Sequence, residues 1–220
     1  MFQIKICGIT SIEDARVSIL AGADAIGLNF VEGSKRQVDI NTAQQIAAVA
    51  KGHATLVGIF VNSTADDIRQ ISDHLGLDYV QLHGDEQAEF CSELPGRSVI
   101  KAFRYGGGGA SLVAEYLSAC LEGGVPEAIL IDGFKPGEYG GTGEVVDWKT
   151  LAQLGDLPHG LPIVLAGGLT SANVGQAISI VRPTAVDTAS GVESAAGIKD
   201  PQRVNDFVHA AKQGFALLDR

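Results

Sequence analysis

Two side chains in this sequence are placed to move protons: Cys7, ending the run Ile4-Lys5-Ile6-Cys7, and Asp132, ending a run that starts at Ala128. Glycine at position 8 lets the backbone turn and leaves the thiol uncrowded. A thiolate is a competent base where positive potential populates it, and a carboxyl whose pKa is raised by burial is a competent general acid. Strand residues two apart share a face, so Lys5 points the same way as Cys7 and is placed to help keep it deprotonated. A single free cysteine is more often an inert packing residue. The rest of the chain tips that balance toward catalysis.

Two glycine-bearing stretches near the C-terminus suit an anion. Leu165-Ala166-Gly167-Gly168-Leu169-Thr170 and Asp187-Thr188-Ala189-Ser190-Gly191-Val192-Glu193 each follow an apolar run, and small residues let amide N–H groups approach a phosphate closely. Their alternative is ordinary turn glycine. A long loop over 133–143, with Gly141, Thr142 and Gly143 at its end, reads as a lid or ligand loop, whereas 106–109 reads as a flexible connector. Arg36, on the loop carrying Ser34-Lys35-Arg36, suits a bidentate grip on a carboxylate, or else is a solvated loop arginine. His83 either lines the pocket or is satisfied within Gln81-Leu82-His83-Gly84-Asp85. Cys91 and Cys120 fall in helical stretches and read as packing residues, and no Cys/His cluster has metal-ligand spacing, so no metal is expected.

These groups need a frame that brings distant segments together. Eight short apolar runs recur, at 4–7, 25–30, 56–61, 79–83, 99–103, 128–132, 163–166 and 184–187. Amphipathic stretches lie between them at 42–50, 65–75, 87–94, 111–121 and 172–181, and Ser11 is set to cap a helix just after the first run, with Asp14 near the capping-box position. Such alternation implies right-handed βαβ units and a parallel sheet, and eight units suggest closure into a single (βα)8 TIM barrel over residues 1–220. A doubly wound open sheet is the competing architecture. The runs begin aliphatic and end on Cys7, Asn29, Asn62, His83, Arg104, Asp132, Gly167 and Asp187, so chemistry gathers at the C-terminal face, where barrel enzymes carry their sites. The two-residue period puts Lys5, Gln81 and Lys101 in the barrel interior, with Lys5 and Lys101 charge-paired beneath the site to Asp132 or Asp187.

Composition narrows the class further. A net charge of −10 argues against a broad nucleic-acid surface, yet leaves room for a small anionic substrate. Three cysteines without framework spacing suit a reducing compartment. No apolar run approaches membrane-spanning length and the N-terminus lacks a signal-peptide pattern, so a cytoplasmic protein without membrane or nucleic-acid partners is expected.

Taken in order, Ile4-Lys5-Ile6-Cys7-Gly8-Ile9-Thr10, Gly22-Ala23-Asp24-Ala25-Ile26-Gly27, Ser34-Lys35-Arg36, Val57-Gly58-Ile59-Phe60-Val61, Val80-Gln81-Leu82-His83-Gly84, the glycines of 140–143, the stretch 165–169 and Ser190-Gly191-Val192-Glu193 resemble the phosphoribosylanthranilate isomerase family of tryptophan biosynthesis. The resemblance implies a (βα)8 barrel that converts N-(5-phosphoribosyl)anthranilate to 1-(2-carboxyphenylamino)-1-deoxyribulose 5-phosphate, with neither metal nor organic cofactor. Carried over by motif, it implies Cys7 as general base, Asp132 as general acid and Arg36 as the group holding the anthranilate portion. Lys35 stands where the family usually has proline, Asn29 where an apolar residue is common and Val146 where an aromatic often stands, departures that touch loop rigidity and lid packing only. The sugar isomerase of histidine biosynthesis is the nearest rival, but that family resembles one with a carboxylate as base, which Cys7 is not. A catalytically silent phosphosugar-binding barrel is the rival of another class. A monomer is favoured over a homodimer.

Overall fold

The computed structural model describes residues 1–105, 109–120, 124–133, 148–152 and 160–218. Eight parallel strands close into a barrel in chain order: β1 (Ile4–Cys7), β2 (Ala25–Asn29), β3 (Thr55–Phe60), β4 (Tyr79–Leu82), β5 (Ser98–Tyr105), β6 (Ala128–Gly133), β7 (Ile163–Leu165) and β8 (Ala185–Thr188). Closure is made by β8 on β1, with Lys5 in register with Asp187 on one side and Ala25 on the other. Seven helices are described around it: α1 (Ile12–Ala21), α2 (Ile40–Ala50), α3 (Ala65–Leu75), α4 (Gly109–Ala119), α5 (Trp148–Ala152), α6 (Val174–Val181) and α7 (Pro201–Leu218).

Pleating divides each strand between two cores. Ala25, Val57, Ile100, Ala102, Ala128, Leu130, Val164 and Ala185 point inward and form one cluster, closed at the N-terminal end by the edge-on pair Phe2–Tyr79. The alternate residues, among them Ile4, Ile6, Ile26, Leu28, Ile129 and Val186, point outward against Ala15, Ile46, Val113, Ile178 and Phe207 of the helices. Because the inward residues near the bottom are aliphatic and those near the top polar, the strand sequences alone set which end of the barrel is polar.

Local signals explain where helices start. Ser11 accepts from the Asp14 amide at 3.1 Å to cap α1, Asp39 accepts from the amides of Asn41 and Thr42 to cap α2, and Thr64 caps α3. Three points differ from the sequence reading. The stretch 87–94 forms only a short 3-10 segment, Ala88–Glu93, because Gln87 makes no side-chain cap and Pro95-Gly96 follows at once. Lys101 does not enter the barrel: Ile100 and Ala102 occupy the inward positions of β5, so Lys101 between them faces out and pairs with Glu86 at 2.6 Å. Beyond the eighth strand lie two elements absent from that reading, a small antiparallel hairpin of β9 (Glu193–Ala195) and β10 (Ile198–Lys199), and the long helix α7.

Candidate active site at the C-terminal face of the barrel

Cys7 and Asp132 are both at strand tips on the C-terminal face, on β1 and β6. Below Cys7, the fully buried Lys5 ammonium lies 3.0 Å from an Asp187 carboxylate oxygen and donates to Gln81 Oε1 at 3.0 Å. Since β1 and β4 are not neighbours in the sheet, the Lys5–Gln81 bond crosses the barrel interior. Burial would lower the Lys5 pKa, but the charges of Asp187 and Cys7 outweigh it and the net direction is upward, so this cation stays charged. The same surroundings push the Cys7 thiol up: burial is the largest cause and Asp187 adds to it, while Lys5 and Lys199 oppose it without prevailing. Lys5 therefore tempers the cost of a thiolate at Cys7, and the resting sulfur is a thiol. Asp187, which the sequence offered both as a partner of Lys5 and within a stretch suited to an anion, is paired with Lys5 and keeps its other carboxylate oxygen buried, without a partner among the described residues.

On the opposite wall His83 Nε2 lies 3.4 Å from Asp132 Oδ2, and His83 Nδ1 lies 2.8 Å from Gln81 Nε2. Strands β4 and β6 flank β5, so this approach too is made across the interior, and it shows Asp132 and His83 facing one another over the barrel mouth. Arg104 stands in register with Asp132 on β5. The loop after β7 passes directly over this region. A Cβ at Gly167 would meet the Gly133 amide nitrogen at 2.2 Å and Asp132 Oδ1 at 3.2 Å, and φ there is +85°. Only glycine fits that path.

Arg36 is fixed by a residue that sequence reasoning gave no role. Its Nε and Nη2 donate to the two carboxylate oxygens of Glu193 at 2.7 and 2.8 Å, a bidentate fork. Glu193 also accepts from the buried Lys199 ammonium at 2.8 Å, and Arg203 donates to its backbone carbonyl. Burial alone would raise the Glu193 pKa; Arg36 and Lys199 reverse that and hold it below the ordinary glutamate range. The hairpin bearing Glu193 and Lys199 is tied to the first loop by Thr10, whose hydroxyl donates to Gly197 O at 2.6 Å, and by the Lys199 amide on Asp14. The Arg36 side chain lies beside Gly8, where a Cβ would meet its Cδ at 2.6 Å, and the Glu193 fork holds the guanidinium pKa up. The signal for Glu193 was present in the sequence, as an acid closing the last glycine loop six residues before a lysine.

Gly167, Gly168, Ser190 and Gly191 come together where the loops after β7 and β8 meet. Thr188 Oγ1 donates to Leu169 O at 2.8 Å, and Asn173 braces the first loop by accepting from Thr170 N and donating to Gly168 O. A Cβ at Gly191 would come within 1.9 Å of Leu169 O, so the two loops are in backbone contact. Gly141, Thr142 and the rest of the loop they belong to lie outside the described residues. Among the described residues no group of three or more His, Cys, Asp or Glu side chains is arranged to hold a metal ion, and no helix is long and apolar enough to cross a membrane. A groove of about 1050 Å³ at the other end of the barrel, lined by Gly22, Lys51, His53 and Asp78, carries none of these strand-tip groups.

Comparison with known proteins adds a second line. The family described as N-(5'phosphoribosyl)anthranilate (PRA) isomerase matches residues 4–210. N-(5'-phosphoribosyl)anthranilate isomerase of Neisseria meningitidis serogroup C is 42% identical over 211 residues, covering 96% of this chain and 97% of that protein. The enzyme of that name from Pseudomonas putida F1 is 45% identical over 210 residues, covering 95% and 97%. Among solved structures, phosphoribosyl anthranilate isomerase from Thermotoga maritima superposes with a TM-score of 0.85 at 35% identity, over 97% of this chain and all of that one. A phosphoribosyl anthranilate isomerase in complex with reduced 1-(o-carboxyphenylamino)-1-deoxyribulose 5-phosphate superposes at 0.81 with 33% identity, over 97% of this chain and 100% of that one.

Proposed function

Because the chain belongs to the N-(5'-phosphoribosyl)anthranilate isomerase family, we propose that it carries out the Amadori step of tryptophan biosynthesis with Asp132 as general acid and Cys7 as general base. The substrate is N-(5-phosphoribosyl)anthranilate and the product 1-(2-carboxyphenylamino)-1-deoxyribulose 5-phosphate. The observation that carries the assignment of roles is convergence: an acid and a thiol on separate strands end at one barrel mouth, beside the loops after β7 and β8.

Asp132 gives its proton to the furanose ring oxygen, the C1–O bond breaks, and the anilino nitrogen takes up the positive charge as a Schiff base. The Cys7 thiolate then removes the C2 proton, and the electron pair left on carbon neutralises the iminium to give an enolamine. Tautomerisation of the enolamine moves the enol proton to C1 and yields the ketone. Cys7 is left protonated and Asp132 ionised, and proton exchange with solvent resets both. The raised thiol pKa lowers the thiolate fraction but makes each thiolate a stronger base, so the two effects partly cancel. Arg36, its fork held by Glu193, presents its remaining N–H donors to the anthranilate carboxylate. The amides of the Gly167-Gly168 and Ser190-Gly191 loops receive the 5-phosphate, anchoring the end of the sugar remote from the chemistry.

The test is anthranilate-derived fluorescence as purified protein consumes freshly made substrate. Cys7→Ala and Asp132→Asn should each lower kcat by roughly 10²–10⁴-fold while folding and product binding persist. Full activity in either variant removes that residue from its role. The chain is further read as a monomer, because among the described residues the exposed large apolar side chains (Met1, Leu20, Ile40, Leu112, Val125, Ile198 and Leu217) each belong to a different segment.

A further inference from the structure

We propose that Gln81 is a positioning residue that sets the tautomer of His83, making its imidazole a fixed N–H donor to Asp132. This rests on the reading of Asp132 as the acid, but the chain of bonds behind it is independent of that reading. Lys5 has donors and no acceptor, and Asp187 keeps it charged, so the Gln81 side chain must turn its oxygen toward Lys5. That orientation leaves the amide N–H₂ on the other side, 2.8 Å from His83 Nδ1. A nitrogen that accepts cannot also carry a proton, so the ring proton sits on Nε2, the atom 3.4 Å from Asp132 Oδ2. The bonds thus run one way: Lys5 donates to Gln81, Gln81 to His83, and His83 toward Asp132.

The strand geometry makes the arrangement rigid. His83 follows β4 directly, its amide bonded to Phe60 O at 2.8 Å, so it continues the inward side set by Gln81, and Gln81 is 1% exposed, so no water competes for the amide. His83 Nε2 has no aligned hydrogen-bond partner among the described residues. It is a spare donor 3.4 Å from an oxygen of the carboxyl group that becomes negative. When Asp132 passes its proton to the sugar, a carboxylate forms beside an N–H already in place, which stabilises the charge as it appears. Apo hydrogen bonds of this kind are often long and tighten as the reaction proceeds. The opposite tautomer would put a bare lone pair against the new carboxylate and slow the same step.

Long-range proton–nitrogen NMR of ¹⁵N-histidine-labelled protein reads the tautomer directly, with His83 picked out from the five histidines by the signal lost in His83→Asn. Wild type should show His83 protonated on Nε2. In Gln81→Glu the new carboxylate accepts from Lys5 but has no N–H to give, so His83 should carry a proton on Nδ1, and kcat should fall about 10–10²-fold with KM changed less than about threefold. Gln81→Met, which neither gives nor takes, should show a mixture of tautomers and serves if Gln81→Glu fails to fold. Asp132→Asn should lose turnover while keeping the Nε2 proton. A wild-type ring protonated on Nδ1, or a tautomer unmoved in both Gln81 variants, overturns the proposal. Retained turnover in Asp132→Asn with the tautomers as expected overturns the acid assignment and leaves the bond chain standing.

Discussion

Cys7 shows how a single residue's surroundings decide its chemistry. Burial raises the thiol pKa, and the Lys5 ammonium recovers only part of that cost. The thiolate fraction should therefore keep growing with pH beyond the ordinary thiol range, and alkylation of Cys7 by iodoacetamide should rise about tenfold per pH unit through neutrality. Lys5→Met should slow that alkylation further at every pH, followed peptide by peptide so that Cys91 and Cys120 are scored apart. A plateau in the wild-type rate near pH 7 would contradict the assignment of a resting thiol. Glu193 is the opposite case, with its pKa held below the ordinary glutamate value of 4.5. A depressed folded pKa gives stability that is present above the unfolded value and disappears as pH falls through the folded one. Glu193→Gln should thus lower stability by about 3 kcal/mol near neutrality, by breaking a buried charge cluster. The gap to wild type in urea titrations should narrow below pH 4.5. The variant should also raise KM for the substrate, and much less for an analogue without the ring carboxylate, if Arg36 is the group that holds it.

At the scale of elements, backbone contact between two loops is the constraint that matters most. Gly191 stands so near Leu169 O that any side chain must part the loops after β7 and β8. Gly191→Ala should cost about 1–3 kcal/mol by thermal or urea unfolding, the range for a forced fit in a packed region. It should weaken phosphate competition more than it lowers kcat, and unchanged inhibition by inorganic phosphate would separate these loops from the anion. The β9–β10 hairpin works at the same scale. It carries Glu193 and Lys199, is pinned by Thr10 and Asp14, and so couples the first, second and eighth loops through Arg36.

For the whole molecule, outward-facing apolar residues of the strands are covered by helices, and the exposed large apolar side chains among the described residues fall on separate segments. Sedimentation velocity at micromolar concentration should give one species of about 23 kDa. A dimer at that concentration would overturn the reading of the chain as a monomer.

The strand order and the placement of Cys7 and Asp132 at strand tips on one face were legible in the sequence, because they follow from period-two burial and from polar residues ending aliphatic runs. So were the caps at Ser11 and the β7 and β8 glycine loops. What the chain could not reveal locally was which charged groups meet. Lys5 finds Asp187 because β8 closes on β1, Lys101 turns outward because its two neighbours fill the barrel, and Arg36 is gripped by an acid 157 residues away. A short-range pattern records which face a side chain takes. Only closure of the barrel brings the partners to that face, and with them the burial that holds the Cys7 thiol pKa up against the pull of Lys5.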